Sequence, residues 1–502
     1  MRTTSPEHLD VIIVGAGLSG IGAGAHLRRH HPGRTFAVLE SRAATGGTWD
    51  LFRYPGVRSD SDMHTLGYSF APWTDGRAIA DGPSILRYVR ETGERHGVTE
   101  RVRLGHRVIA ADWSEADCRW SVEVERSGGE RLTLTCGFLL TCCGYYDYAN
   151  GFAPEFPGQA DFRGPIIHPQ HWPEDLDYAG RRVVVIGSGA TAVTLVPALA
   201  TAAGHVTMLQ RSPTYLLSLP GRDPIADQLR RWLPERLAYS MTRAKNVSMQ
   251  SLFYGFCRRF PRQARSLIRR GAVAQLPPGF DVDTHFRPSY DPWDQRVCIS
   301  PDGDLFAALR AGRASIVTDR VARFTETGIE LERGEALPAD LIITATGLRL
   351  KPIGGITLSL DGTPVALGET LAYKGLMLSG VPNFAFVVGY TNASWTLKAD
   401  LTSEYVCRLL GYLDAHGYAS GRPPAQPLGI EREPIIDLMS GYVMRSLAEF
   451  PDQGSERPWK LRQNYPIDRY EFTRKPIDDG VLQFSRRPVG SAASQSPAAV
   501  PA

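Results

Sequence analysis

The sequence is short of the features that would take it out of the ordinary globular class. No stretch approaches the roughly 18 apolar residues that a membrane span needs. Charges of the two signs nearly cancel, at a net +3, which gives little reason to expect nucleic acid as a partner. The N-terminus has no apolar signal core ahead of Asp10-Val11-Ile12-Ile13-Val14, and that run reads as a first strand. Cysteine is sparse and scattered, at Cys118, Cys136, Cys142, Cys143, Cys257, Cys298 and Cys407. With no C-x-x-C pair and no metal-ligand spacing, no metal site is expected, and a reducing cytoplasm is the simpler location. What the chain does have is length. At 502 residues it exceeds one ordinary core, and two or three domains are expected.

Two glycine-rich loops carry the first positive signal. Val11 to Val14 is the apolar run of a buried parallel strand; it enters Gly15-Ala16-Gly17-Leu18-Ser19-Gly20, and Ile21 to Arg29 reads as a helix. Gly15 allows the tight turn, Gly17 lets a pyrophosphate approach the backbone, and Gly20 lets helix and strand pack closely. The helix N-terminus offers free N–H groups to the phosphates. A second run, Phe36 to Leu39, ends in Glu40, where a ribose hydroxyl would be held.

The pattern then repeats. Arg182 to Ile186 runs into Gly187-Ser188-Gly189-Ala190-Thr191-Ala192, with Ala192 replacing the third glycine and a helix following through Ala200. The next strand, His205 to Leu209, ends in Gln210-Arg211-Ser212. No acid stands at the ribose position. A carboxylate would repel a 2′-phosphate, whereas a guanidinium pairs with it bidentately, so these residues argue for NADPH over NADH. Two loops mean that two nucleotides meet. The expected fold is α/β, with two Rossmann-like dinucleotide-binding domains.

Ahead of the second loop lies Phe162-Arg163-Gly164-Pro165-Ile166-Ile167-His168-Pro169-Gln170-His171-Trp172-Pro173. Its pattern, F-x-G-x-x-x-H-x-x-x-W-P, resembles the fingerprint of Baeyer–Villiger monooxygenases. These flavoenzymes use NADPH and oxygen to insert an oxygen atom beside a carbonyl. Gly46-Gly47-Thr48-Trp49 and Arg53-Tyr54-Pro55-Gly56-Val57-Arg58-Ser59-Asp60 resemble the flavin-side motif of that family, with Phe52 where many members have asparagine. Asp340 to Gly347 resembles the "ATG" strand of flavoprotein monooxygenases. The likeness runs from Asp10 to about Pro488. It is nearest to the ethionamide-activating subgroup of mycobacteria and related actinobacteria, through Phe52 to Met63, Pro173 to Tyr178 and Gly389 to Asp400.

The resemblance implies FAD, NADPH and O2, oxidation of ketones to esters or lactones through a C4a-peroxyflavin, and sulfoxidation of thioethers and thioamides. Carried over residue by residue, it assigns FAD contacts to Ser19, Glu40, Gly47, Thr48, Trp49, Asp50, Leu51, Asp60 and Val108. It assigns NADP contacts to Arg58, Ser59, Asp60, Gly187, Ser188, Gly189, Ala190, Thr191, Ala192, Val193, Arg211 and Ser212. It makes Arg296 the catalytic cation beside flavin and nicotinamide, with Asp60 orienting it; an arginine keeps its charge at working pH. Gln295 stands where several members have lysine, so NADPH preference leans on Arg211 and Ser212. Phe162, His168 and Trp172 read as shaping the linker between the nucleotide domains, ahead of a general-base role for His168, and His171 reads as a surface residue. Trp395 is expected on the substrate cavity.

The expected organisation is an FAD-binding domain over 1–150 and 345–487, an NADP-binding domain over 151–212 and 296–344, and a helical subdomain over 213–295. A disordered tail, rich in Ala, Ser and Pro, would follow from 488 to 502. Three rival readings remain. One is an enzyme of this fold that oxygenates only sulfur or nitrogen. Another is a disulfide reductase, which would need a redox cysteine pair and finds only the adjacent Cys142-Cys143. The third is a membrane-associated, non-catalytic flavoprotein. For it, the basic segment Arg258 to Arg270 could touch an acidic surface, although a solvated helix face is the simpler reading. The residues carry no signature of an oligomeric state.

Overall fold

The computed structural model describes residues 5–427 and 429–487. The tail 488–502, expected to be disordered, lies outside the described residues. Two sheets organise the chain. The first is built on Glu7–Val14, with Phe36–Leu39 on one side and Arg131–Thr141 on the other, all parallel. An antiparallel meander of His106–Ser114 and Arg119–Arg126 extends it beyond Arg131–Thr141. The alternation of the first strand decides what covers it. Val11 and Ile13 pack beneath the helices Leu18–His30 and Trp395–His416. Ile12 and Val14 join the cluster of Trp113, Trp120 and Phe384 on the other face. A strand buried on both faces reads as a continuous apolar run, as this one does.

The second sheet is wholly parallel, in the order Ala314–Thr318, His205–Gln210, Arg182–Ile186, Leu341–Thr344 and Ile166–Ile167. Val183 and Val185 face the helix Ala190–Leu199. Val184 and Ile186 face a three-stranded antiparallel layer, Val321–Thr325, Gly328–Leu331 and Ala336–Pro338.

The chain crosses from the first sheet to the second after Thr141 and returns after Thr344. The two crossings meet, because Tyr146–Gly151 pairs antiparallel with Leu348–Leu350. His168 is fastened to this ribbon. Its Nδ1 accepts from the Gln170 N–H at 3.3 Å, so its Nε2–H donates to the Gly347 carbonyl at 3.2 Å. A Cβ on Gly151 would lie 2.2 Å from the imidazole. Phe162 packs edge-on to Phe324, with Trp172 against Tyr178.

Residues 213–295 open on a short strand, Leu216–Leu219, parallel to Cys298–Pro301. They become helical from Pro224–Trp232, through Glu235–Arg259 and Pro261–Val273, to Val282–Phe286. The long helix is held to the first sheet by a buried arginine. Arg243 donates to the carbonyls of His64 at 2.9 Å and Gly67 at 2.6 Å. It faces Asp400 at 3.7 Å, and Asp400 in turn accepts from the Ser69 N–H at 2.8 Å.

Burial lowers the pKa of His64, His168 and His285 from the ordinary 6.5. Each takes up a proton less readily when folded than in the unfolded chain, which does so near 6.5. Their contribution is therefore full above 6.5 and declines as pH falls below it. The unfolding midpoint of the holoenzyme should drop steadily between about pH 7.5 and about pH 5.5, before carboxylates begin to titrate. A midpoint that rises over that interval would contradict this assignment.

Candidate active site

A cleft of about 570 Å³ opens at the carboxyl ends of the strands of the first sheet, the place where open α/β sheets bind ligands. Its floor is the loop after Glu7–Val14. Gly15 adopts φ +100°, and a Cβ there would lie 2.8 Å from the Cys142 carbonyl. At Gly20 a Cβ would lie only 1.8 Å from the Gly15 carbonyl, so any side chain would force the helix off the strand. Gly17 caps the helix without a side-chain hydrogen bond, leaving its first N–H groups free toward the cleft. Gly47 approaches so closely that a Cβ on it would lie 2.9 Å from the Gly17 Cα. Glu40 is buried and its Oε2 accepts from the Ala16 N–H at 2.8 Å, while Oε1 accepts from Arg42 at 2.9 Å. The acid at the strand end thus also fixes the loop.

The wall is aromatic. Thr48 Oγ1 and the Tyr148 hydroxyl share a 2.9 Å hydrogen bond, and Trp395 Nε1 donates to Ser19 Oγ at 2.8 Å. Tyr145 stands edge-on to Trp395, with ring centroids 5.0 Å apart. Arg296 closes the far end, with its Nη2 3.5 Å from the Tyr145 hydroxyl and its buried Nε without a protein partner. Tyr145 is the main influence holding the guanidinium above its usual pKa, with Tyr442, Tyr146 and Asp60 adding to it. The loop into Arg296 is strained: Trp293 adopts φ +75° and is held edge-on to Tyr254 at 5.6 Å.

Asp60 lies in the same cleft. Burial raises its pKa, opposed by Arg296 and then Arg58. It is the one carboxylate shifted upward among the described residues, and a perturbed group in a cleft marks a candidate functional site. Arg58 pairs with Asp304 and also keeps a buried, unpartnered Nε. Beyond Arg296 and Tyr145 lies a small apolar pocket, lined by Ile435, Ile436, Leu438, Tyr442 and Tyr390, with about 10 Å³ free.

The second glycine loop is built similarly. Gly187 adopts φ +141°, and a Cβ there would lie 2.3 Å from the Ala345 carbonyl. Gly189 caps the helix Ala190–Leu199 with no side-chain hydrogen bond. Ala192 is fully buried. Ser188 Oγ donates to the Ser212 carbonyl at 2.9 Å, bringing the strand end with exposed Arg211 beside the loop. The segment 53–60 bridges the two loops. A Cβ on Gly56 would meet Ala198 at 2.7 Å, and burial pushes the Tyr54 hydroxyl up to about 12, eased by a hydrogen bond with Thr191.

Comparison with known proteins now decides the family. Residues 13–75 match the NAD(P)-binding Rossmann-like domain, and 83–225 match the flavin-binding monooxygenase-like family. The chain is 56% identical to the FAD-containing monooxygenase EthA of Mycobacterium tuberculosis, over 96% of this chain and 99% of that protein. With EthA of Mycolicibacterium smegmatis it shares 52%, over 98% and 100%. The chain belongs to the FAD-containing monooxygenases. Its fold is that of an oxidised steroid monooxygenase bound to NADP, at a TM-score of 0.74 and 22% identity over 95% of this chain and 100% of that one.

The monooxygenase brings most of the sequence-derived flavin residues to one cleft: Gly15, Gly17, Ser19, Glu40, Gly47, Thr48, Trp49, Asp60 and Val108, together with Arg58, Ser59 and Arg296. Gly20 lies behind it, in the helix–strand contact. Asp50 and Leu51 lie outside it, and the Asp50 carboxylate is turned to Arg42 and Arg90, each at 2.8 Å. Gly187 to Val193, Arg211 and Ser212 form the separate second loop. Trp395 lines the flavin cleft rather than the apolar pocket beyond Arg296. Sequence reasoning missed Tyr145, Tyr146, Tyr148, Tyr390 and Tyr442. The run Gly144-Tyr145-Tyr146-Asp147-Tyr148, just past a central strand end, was the signal for three of them. Nothing in the sequence marks Tyr442.

The residues fit both nucleotides. Uncapped helix N-termini, glycines where a Cβ would close the cleft, and buried guanidinium nitrogens without partners all await a polyanionic ligand. FAD, when bound, supplies the oxygen-activating chemistry. Burial raises the Cys142 thiol and pushes Cys143 up to about 12, which disfavours the thiolate that disulfide exchange needs.

Proposed function

We propose that this monooxygenase performs Baeyer–Villiger oxidation, inserting oxygen from O2 beside the carbonyl of a ketone at the expense of NADPH, and that it oxidises thioethers and thioamides in the same site. The observation that carries this is Arg296. A fixed, half-buried positive charge with a free donor stands where the cleft meets the apolar pocket, and Asp60 lines the same cleft and acts on it through its charge. Such a group stabilises negative charge developing on oxygen. The apolar pocket is the place for the substrate body, and its small free volume requires its lining to move on entry.

We assign the FAD unit to 1–150 and 345–487, and the NADP unit to 151–212 and 296–344. The return of Thr357–Leu360 and Phe384–Phe386 to the first sheet supports that division. Seven free cysteines support a cytoplasmic setting. The test is turnover of the purified holoenzyme with NADPH, air and a panel of ketones and thioethers, with products read by gas chromatography and mass detection. Esters from ketones are expected. Sulfoxides without any ester would sink the carbonyl reading and leave a heteroatom oxygenase.

Arg211→Ala should narrow the NADPH-over-NADH preference in kcat/KM by about tenfold or more, since it removes a charge-assisted contact to the 2′-phosphate. An unaltered ratio would place that phosphate elsewhere.

A further inference from the structure

The helical insert carries an unusual share of the exposed apolar side chains. Fourteen large apolar side chains are exposed among the described residues, and nine of them fall within 224–273. Trp232 and Leu252 are each 73% exposed, and Met249 is 59% exposed. In the helix Glu235–Arg259 polar and apolar side chains share both faces, with Ala238, Tyr239 and Val247 also buried. Thr242, Arg243 and Asn246 are buried, while Leu237, Met241, Ala244, Ser248 and Leu252 recur at three- and four-residue spacing on the exposed side. The cause is local: the buried face must satisfy the backbone carbonyls of residues 64–67, which Arg243 does.

Charge follows the same segment. Residues 224–273 hold eleven lysines and arginines against two acids, a net +9 in a chain of net +3, so the remainder carries −6. Lys245, Arg258, Arg265 and Arg269 are spent on aspartates. Arg231, Arg236, Arg259, Arg262 and Arg270 are exposed and make no ion pair among the described residues. Arg231 and Arg259 lie over the rings of Trp232 and Phe260, at 5.8 and 5.4 Å. An aromatic ring beneath a guanidinium is the pairing suited to a headgroup boundary, apolar below and cationic above.

We propose that this face docks on an anionic lipid surface. The exposed Trp, Leu, Met and Phe side chains enter the headgroup–acyl boundary, and the free arginines meet lipid phosphates. No helix is long and apolar enough to cross a membrane among the described residues, so the contact is peripheral. The charge selects the occupant. A second copy meeting this face about a two-fold axis would set like charges against each other. The inference does not depend on the oxygenation chemistry, because these residues are not in the cleft.

The test is co-sedimentation of the holoenzyme with phosphatidylcholine vesicles, with and without about 30 mol% phosphatidylglycerol. Binding to the anionic vesicles should exceed binding to neutral ones by about tenfold, and should fall sharply in about 1 M salt, where screening is complete within about 3 Å. Two triple variants separate the components: Leu237→Ser with Met241→Ser and Leu252→Ser, and Arg259→Gln with Arg262→Gln and Arg270→Gln. Each should lose about tenfold in vesicle binding while keeping its flavin spectrum and its turnover of a water-soluble ketone or thioether. Equal binding to neutral and anionic vesicles, or none, would overturn the proposal. So would a dimer in sedimentation velocity that the leucine–methionine variant abolishes without any vesicle binding, which would give the face to a second copy. Lost vesicle binding with turnover intact leaves the oxygenation reading standing, and the converse leaves the docking face standing.

Discussion

Arg296→Ala is expected to retain FAD and oxidise NADPH while ester formation falls by about 100- to 1000-fold, with the reducing equivalents released as hydrogen peroxide. The reason lies in the surroundings. The guanidinium is enclosed by Tyr145, Tyr146, Tyr442 and Asp60, in a region where burial pushes the Tyr442 hydroxyl up to about 12 and Tyr146 higher still. Burial keeps Tyr146 and Tyr442 neutral at working pH, so they can orient the cation but cannot replace it. Water would fill the space left by alanine and screen any charge forming there. Arg296→Lys should recover only part of the loss, because a point charge lacks the planar fork. The measurement is the ratio of ester formed to NADPH consumed. An unchanged ratio in the alanine variant would remove Arg296 from the chemistry.

The largest effect on stability is expected at Lys398. Its ammonium is 2% exposed and binds Asp468 Oδ2 at 2.9 Å, and the same oxygen accepts from the Tyr390 hydroxyl at 2.7 Å. The Phe472 ring lies 4.2 Å from the ammonium. Lys398→Met removes the cation and strands the carboxylate, which should cost about 3–5 kcal/mol. The double variant Lys398→Met with Asp468→Asn should regain most of that, since asparagine carries no charge and still accepts from Tyr390. Tyr390 borders both the flavin cleft and the apolar pocket, so the single variant should also lose turnover that the double variant recovers. Thermal unfolding of the holoenzyme measures this, and a double variant no more stable than the single one would show that the pair is not the source.

The two dinucleotide loops were legible because their chemistry is local. A strand, a turn at positive φ, an uncapped helix start and a strand-end residue lie within some thirty residues, and each glycine is demanded by a backbone contact such as the 1.8 Å approach at Gly20. Ser19 and Glu40 belong to the same local unit, and the fold brings Asp60 to the cleft they line. Asp50 neighbours Thr48 and Trp49 in the sequence, and the helix turn Thr48–Leu51 directs its carboxylate to Arg42 and Arg90. The segment before the insert's helices also departs from expectation, since Leu216–Leu219 finds a partner strand only on the far side of the insertion.

By itself, then, the sequence determined that two dinucleotide loops are present, which of them is followed by a strand end without an acid, and the family to which these patterns belong. Only the tertiary structure decided what encloses Arg296, because Tyr145, Tyr390 and Tyr442 come from distant crossings and loops that carry no shared period. It also decided which side of the helix Glu235–Arg259 faces water. Periodicity reports that a helix has two faces, but the demand of buried carbonyls placed Arg243 on the inner face, while Leu237, Met241 and Leu252 stay exposed on the outer one.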